Sequence, residues 1–278
     1  GRTGCMKDLY GRNPKWLSMP DLSIRELGRM IASAFRLNTK PLAVCGSPEP
    51  PFDAVPLSSV HRCIAVTMFR MAMNEGPPAV YIGSNVSQGC CPGGLSHTGY
   101  TMRPPAISWF VSTGRPGIQD APAEYLKAGP ELVNACFDAI GPVTPAGPYL
   151  VIRTCESVAD HEAGIRAISC LGNAEQIRNM AALVHFDRAE PFFPVLVPWG
   201  PACDTLVTFP AGMAAGAPRG SAFMGPQDPT VNHALPPDTM VIGLPITVAR
   251  RMGDNISRSF ISRRPGVAFP DRNTRMEK

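Results

Sequence analysis

The sequence holds nine cysteines but no CxxC pair. That absence excludes short-spaced zinc ribbons and fingers and the thioredoxin-type redox motif. Neither GxxxxGK[ST] nor a strand-linked GxGxxG occurs, so a phosphate-cradling nucleotide loop has no basis. No apolar run approaches the roughly 18 residues of a membrane span. Charge is sparse: 17% of residues are Asp, Glu, Lys or Arg, and the net charge is +4. Basic residues do not interleave with aromatics, which excludes the usual nucleic-acid face. No leader pattern precedes Arg2, and the expected compartment is reducing and cytoplasmic. There, clustered cysteines bind metal or do chemistry more often than they cross-link.

What is present is a core and a concentration of reactive groups. Hydrophobic residues make up 44% of the chain, enough to bury a substantial interior. Gln88-Gly-Cys90-Cys91-Pro-Gly-Gly-Leu-Ser-His97 carries two thiols and an imidazole in ten residues. Gly89 admits backbone angles closed to other residues. Pro92 suits the first position of a helix, which makes Cys91 its cap. A thiolate there is favoured by unpaired N–H groups. Gly93 and Gly94 have no side chains, so a cluster or ligand can approach the backbone closely. Ser59 to Asn74 is apolar almost all round, the mark of a buried helix, and Cys63 is expected in its first turn beside His61 and Arg62.

The remaining pattern predicts a mixed α/β fold of short buried strands packed by helices. Ser23-x-x-Glu26 and Asn173 with Gln176 read as capping boxes. Strands are expected at 41–46, 78–83, 106–111, 149–154, 167–172, 221–224 and 239–244. Helices are expected after Ser23, at 123–127, at 131–140 between Pro130 and Gly141, after Asn173, and from Pro245 with Val248, Met252 and Ile256 inward. Residues 1–20 read as an irregular segment, 21–262 as one α/β domain and 263–278 as a polar tail. A faint repeat matches Pro41–Gly46 and Cys91 with Ala167–Gly172 and Cys203. It would divide the domain into similar halves near 21–148 and 149–262, with a site at their interface.

Five segments occur in order: His61-Arg-Cys63, Cys91-Pro-Gly-Gly94 followed by Gly99, Leu171-Gly-Asn-Ala-Glu-Gln-Ile177, Trp199-Gly-Pro-Ala-Cys203, and Thr239-Met-Val-Ile-Gly-Leu-Pro245. Together they resemble the archaeal and bacterial family known as domain of unknown function 169, over roughly residues 35–262. The resemblance brings no activity. It implies emphasis on Cys63, Cys91 and Cys203, and marks Cys90 as a local addition.

Three thiols on three separate segments suit a metal group. One expectation is a [4Fe–4S] cluster held by Cys63, Cys91 and Cys203, with one iron open and His97 or Cys90 as a fourth ligand. The protein would then be an enzyme or sulfur carrier for a small molecule or sulfur species, with His61, Arg62 and His97 supplying charge and protons. Zinc is a second metal reading. A metal-free alternative is a nucleophilic Cys91 with His61 or His97 as base, although no orienting acid stands out. A non-enzymatic small-ligand module is the third class, with Pro210 to Pro229 as its lid. Neither a nucleic acid nor a membrane is an expected partner.

Overall fold

Two capping boxes start two of the long helices. Ser23 accepts from the Glu26 N–H while the Glu26 carboxylate accepts from the Ser23 N–H, which opens α1 (Ile24–Phe35). Asn173 and Gln176 do the same for α6 (Ala174–Val184). In a computed structural model, which describes residues 22–83, 89–114, 123–159, 164–218 and 220–263, these helices lie on a single mixed sheet. Both boxes satisfy N–H groups that a helix start otherwise leaves unpaired.

The strands are β1 (Leu42–Ser47), β2 (Val55–Pro56), β3 (Ala79–Gly83), β4 (Tyr149–Thr154), β5 (Ile165–Asn173), β6 (Val195–Leu196), β7 (Ala222–Gly225) and β8 (Thr239–Pro245). Their order across the sheet is β2-β3-β4-β1-β5-β8-β7-β6. Read outward from the centre, the two sides repeat. β1–β4–β3–β2 on one side matches β5–β8–β7–β6 on the other, strand for strand. The pairings match too: antiparallel, antiparallel, then parallel at the edge. The halves meet where β1 pairs antiparallel with β5.

Alternation along the strands divides the core. Leu42, Val44, Leu150, Ile152 and Leu171 face one cluster with the apolar helix α2 (Ile64–Ala72). Ala43, Ile168, Cys170, Ile242 and Leu244 face a second with α1, α6 and α8 (Ile246–Ile256). Among the described residues, the remaining α-helices are α5 (Pro130–Ile140) and the short α3 (Pro92–His97), α4 (Ile107–Val111) and α7 (Pro229–Asn232). A π-helical turn over Asp204–Thr208 follows Cys203.

The fold is the expected mixed one, with local corrections. Residues 106–111 form helix α4, not a strand. Five or six apolar residues fit either element, and here Pro104 precedes a turn in which its carbonyl accepts from Ile107 N–H. Residues 123–127 are not helical. The N–H groups of Glu124, Tyr125 and Leu126 instead donate to the carbonyls of Phe110, Ser112 and Val111. The segment thereby becomes a strap across α4. The division between the halves falls after β4, between 154 and 165, because β4 pairs with β3 and β1. The Pro210–Pro229 stretch, expected as a loop, is partly paired: Thr144 N–H donates to the Met213 carbonyl, Ala214 bridges Val143, and the stretch contains β7. The expected irregular segment 1–20 and Cys5 lie outside the described residues, as does nearly all of the tail.

Candidate functional site

Cys63 is the cap residue of α2, one position earlier than expected, with extended backbone angles. Its N–H donates to His61 Nδ1 at 3.0 Å. Cys91 caps α3, and Pro92 takes the first helical position as expected. Cys91 N–H donates to the Arg62 carbonyl at 2.7 Å, and Arg62 Nε donates to the Gly89 carbonyl at 3.2 Å. Arg62 therefore ties together the two segments that carry these thiols. Gly89 has φ +91°, a conformation that favours glycine. It turns Cys90 into the core, where that residue is 6% exposed.

Cys203 caps the π-helical turn and is buried. α3 packs close to it: a Cβ on Gly94 would make ordinary contact with Cys203 Sγ at 3.6 Å and a tighter one with Ile64 Cδ1 at 3.2 Å. Cys63, Cys91 and Cys203 thus line one pocket of about 510 Å³ together with His97. That volume lies in the range of small-molecule sites, roughly 300–1,000 Å³. His61 and Arg62 stand behind Cys63, outside the lining. Among the described residues, no three His, Cys, Asp or Glu side chains close on a single metal-ion position.

Burial and like charge dominate the electrostatics. Burial pushes the Cys63 thiol up, Cys91 adds to this, and the N–H groups of Val66 and Ala65 act against it. Burial raises Cys203 well above the usual thiol range, and Cys63, Cys91, Asp204 and Asp228 push the same way. Their mutual influence places these groups in one electrostatic neighbourhood.

The structure adds groups that the sequence did not single out. Glu124 and Asp228 both line the pocket. Burial first, then the charge of Asp228, push the Glu124 carboxyl up to about 7, although Thr230 and His97 act against it. Asp204 supplies the acid absent from the sequence reading. Its Oδ2 lies 2.9 Å from His97 Nδ1, and both residues are buried. Gly200 leaves room for it, since a Cβ there would stand 2.5 Å from Asp204 Oδ2. One wall is aromatic: His97 packs 5.1 Å from Phe137, which packs 5.6 Å from Trp199. Among the described residues, Trp199 Nε1 is buried without a hydrogen-bond partner. No Lys or Arg is among the described residues lining the pocket.

A family model described as "Uncharacterised ArCR", that of domain of unknown function 169, matches residues 30–255. The chain belongs to this family. No curated protein and no solved structure matches the chain. The match spans β1 through most of α8 and so includes both halves of the sheet and all three pocket cysteines. Among the described residues, no helix is long and apolar enough to cross a membrane.

Proposed function

We propose that Cys63, Cys91 and Cys203 hold a [4Fe–4S] cluster whose fourth iron carries no thiolate. On this reading the protein is an enzyme or sulfur carrier acting on a small molecule or sulfur species in the adjoining pocket. One observation carries the reading. Three thiols from both halves of the sheet converge on a pocket whose other ionisable side chains are Glu124, Asp228 and His97, with no Lys or Arg in the lining. Buried thiolates and carboxylates without a cation are costly. A metal group would supply the positive charge that these burial-raised thiols need in order to ionise.

A cluster and a single zinc ion ask for different thiol spacings. Thiolates on one tetrahedral zinc stand about 3.8 Å apart, given a Zn–S bond of about 2.3 Å. A cluster gives each thiolate its own iron and separates them further. Cys63, Cys91 and Cys203 share the pocket, and among the described residues no three such side chains close on one ion position; the proposal is therefore for a cluster and not for a single ion.

Held by Cys63, Cys91 and Cys203, such a cluster would supply Lewis acidity towards a substrate oxygen or sulfur. Around it, Trp199 Nε1–H would donate to an acceptor on the substrate. Glu124, poised near neutrality, would exchange a proton. His97 would do so through Nε2, its tautomer fixed by Asp204. Arg62 and His61 act as positioning residues through the Cys63 and Cys91 backbone. The His97–Asp204 pair also supports a second reading, a metal-free enzyme with Cys91 as nucleophile and His97 as its oriented base.

Anaerobic purification separates the two. The cluster reading expects brown protein with broad absorption near 400 nm and about four irons and four sulfides per chain. It also expects Cys91→Ala to lose the cluster and Cys90→Ala to keep it. Colourless, metal-free protein with one fast-alkylating thiol at Cys91 would replace it with the nucleophile reading. Equal cluster retention in both variants would remove Cys91 from the ligand set.

A further inference from the structure

The repeat in the sheet relates the pocket residues in pairs. Cys63 stands seven residues after Pro56, the end of β2, and Cys203 stands seven residues after Leu196, the end of β6. β2 and β6 occupy the same place in their halves. Cys91 caps the first helix after β3, with Pro92 at the first helical position. After β7, the equivalent strand, Asp228 caps α7, with Pro229 at the first helical position. Each cap residue also contacts the residue before the thiol of its half, by a different kind of hydrogen bond. Cys91 N–H reaches the carbonyl of Arg62, the residue before Cys63. Asp228 Oδ2 accepts from the N–H of Ala202, the residue before Cys203, at 3.3 Å.

We propose that Asp228 is the fourth ligand of the metal group, its carboxylate holding the iron that lacks a thiolate. The inference rests on the cluster reading and deepens it: two ligands come from each half, Cys63 and Cys91 from one, Cys203 and Asp228 from the other.

Capping alone does not account for Asp228. Oδ1 does that work, accepting from Thr230 N–H at 3.0 Å and from the Thr230 hydroxyl. Oδ2 has one long bond to Ala202 and retains a lone pair. The residue is 5% exposed yet lines the pocket with the three thiols, and no Lys or Arg in the lining faces it. A carboxylate oxygen is a harder ligand than a thiolate and binds iron less tenaciously. A substrate oxygen or sulfur can displace it, so the fourth iron is guarded at rest and available when substrate arrives.

The test uses full-length protein reconstituted without oxygen, comparing the parent with Asp228→Asn and Asp228→Cys. Asn keeps the acceptor oxygen for Thr230 and guards against loss of fold, which thermal unfolding of the metal-free variants checks. Each loaded protein is treated with ferricyanide. The oxidant takes one electron from [4Fe–4S]²⁺, and a labile iron then leaves as Fe²⁺ to give [3Fe–4S]⁺, read by its paramagnetic resonance and by iron released. Asp228→Asn is expected to lose this iron on the order of tenfold faster than the parent. Asp228→Cys is expected to retain all of its iron. Equal iron loss from all three proteins would overturn the role of Asp228 and leave the three-thiol cluster standing. A parent that assembles no iron and sulfide would overturn the cluster reading itself and this proposal with it.

Discussion

His97 and Asp204 form a buried pair, Nδ1 to Oδ2 at 2.9 Å, that joins α3 in one half of the sheet to the π-helical turn in the other. Asp204 Oδ1 is buried with no hydrogen-bond partner among the described residues, and Oδ2 is paired with His97. Replacing His97 by Ala strands the carboxylate and is expected to cost about 3 kcal/mol. Urea unfolding of the metal-free protein measures this. A loss below about 0.5 kcal/mol would show that the pair contributes nothing to joining the halves.

Alkylation sorts the cysteines by position. Cys63, Cys91 and Cys136 are half-buried, whereas Cys155 and Cys170 are buried in the opposite core. Burial pushes the Cys170 thiol up to about 12 and Cys155 well above the usual range. Mass spectrometry of native metal-free protein is expected to find modification at Cys63, Cys91 and Cys136 well before Cys155 or Cys170. Loading with iron and sulfide is expected to protect Cys63 and Cys91 and leave Cys136 reactive. Protection of Cys136 instead would place the metal elsewhere.

Glu124 gives the metal-free protein a pH dependence of definite sign. Its folded-state value of about 7 lies above the ordinary 4.5, so the fold binds this proton more tightly than the unfolded chain does. The resulting stability is complete below about pH 4.5 and is lost as pH rises towards about 7. Glu124→Gln is expected to narrow the parent's advantage at pH 5 over pH 8 in urea titrations. An unchanged difference would mean that Glu124 does not hold its proton in the fold.

Gly28 sets a helix preference against packing. Alanine favours a helix interior by about 1 kcal/mol over glycine. A Cβ at Gly28, however, would sit 2.3 Å from Cys155 Cβ and 3.1 Å from its Sγ, and overpacking costs about 1–3 kcal/mol. Gly28→Ala is therefore expected to lower the thermal midpoint, and Cys155→Gly in the same chain to recover part of the loss. A higher midpoint for the single variant would show that the helix slides away freely.

The parts of the fold legible in the sequence are those with local chemistry. The boxes at Ser23 and Asn173, the proline start and glycine stop of α5, and Pro92 after Cys91 each act within a few residues. The segment at 106–111 was ambiguous because so short an apolar run has no decisive period. The repeat was visible at β1 and β5 but paired Cys203 with Cys91. The helix α6 between β5 and β6, where only a short link joins β1 to β2, hides the match to Cys63, which the strand order supplies. Glu124, Asp204 and Asp228 had no local mark because each matters through what lies opposite it. One signal existed: Asp228-Pro229 echoes Cys91-Pro92, but it can be recognised only once β3 and β7 are seen to be equivalent.

The sheet stops on both sides in a two-residue strand, Val55–Pro56 and Val195–Leu196. An edge strand with free backbone groups is a template for adding another chain, and very short or proline-bearing edges deny that template. Here both outermost strands break off so that the chain can turn back towards Cys63 or Cys203, and Pro56 brings no N–H to its edge. An eight-stranded sheet rich in buried apolar residues is thus sealed against fibre-like growth by the same two turns that deliver the thiols.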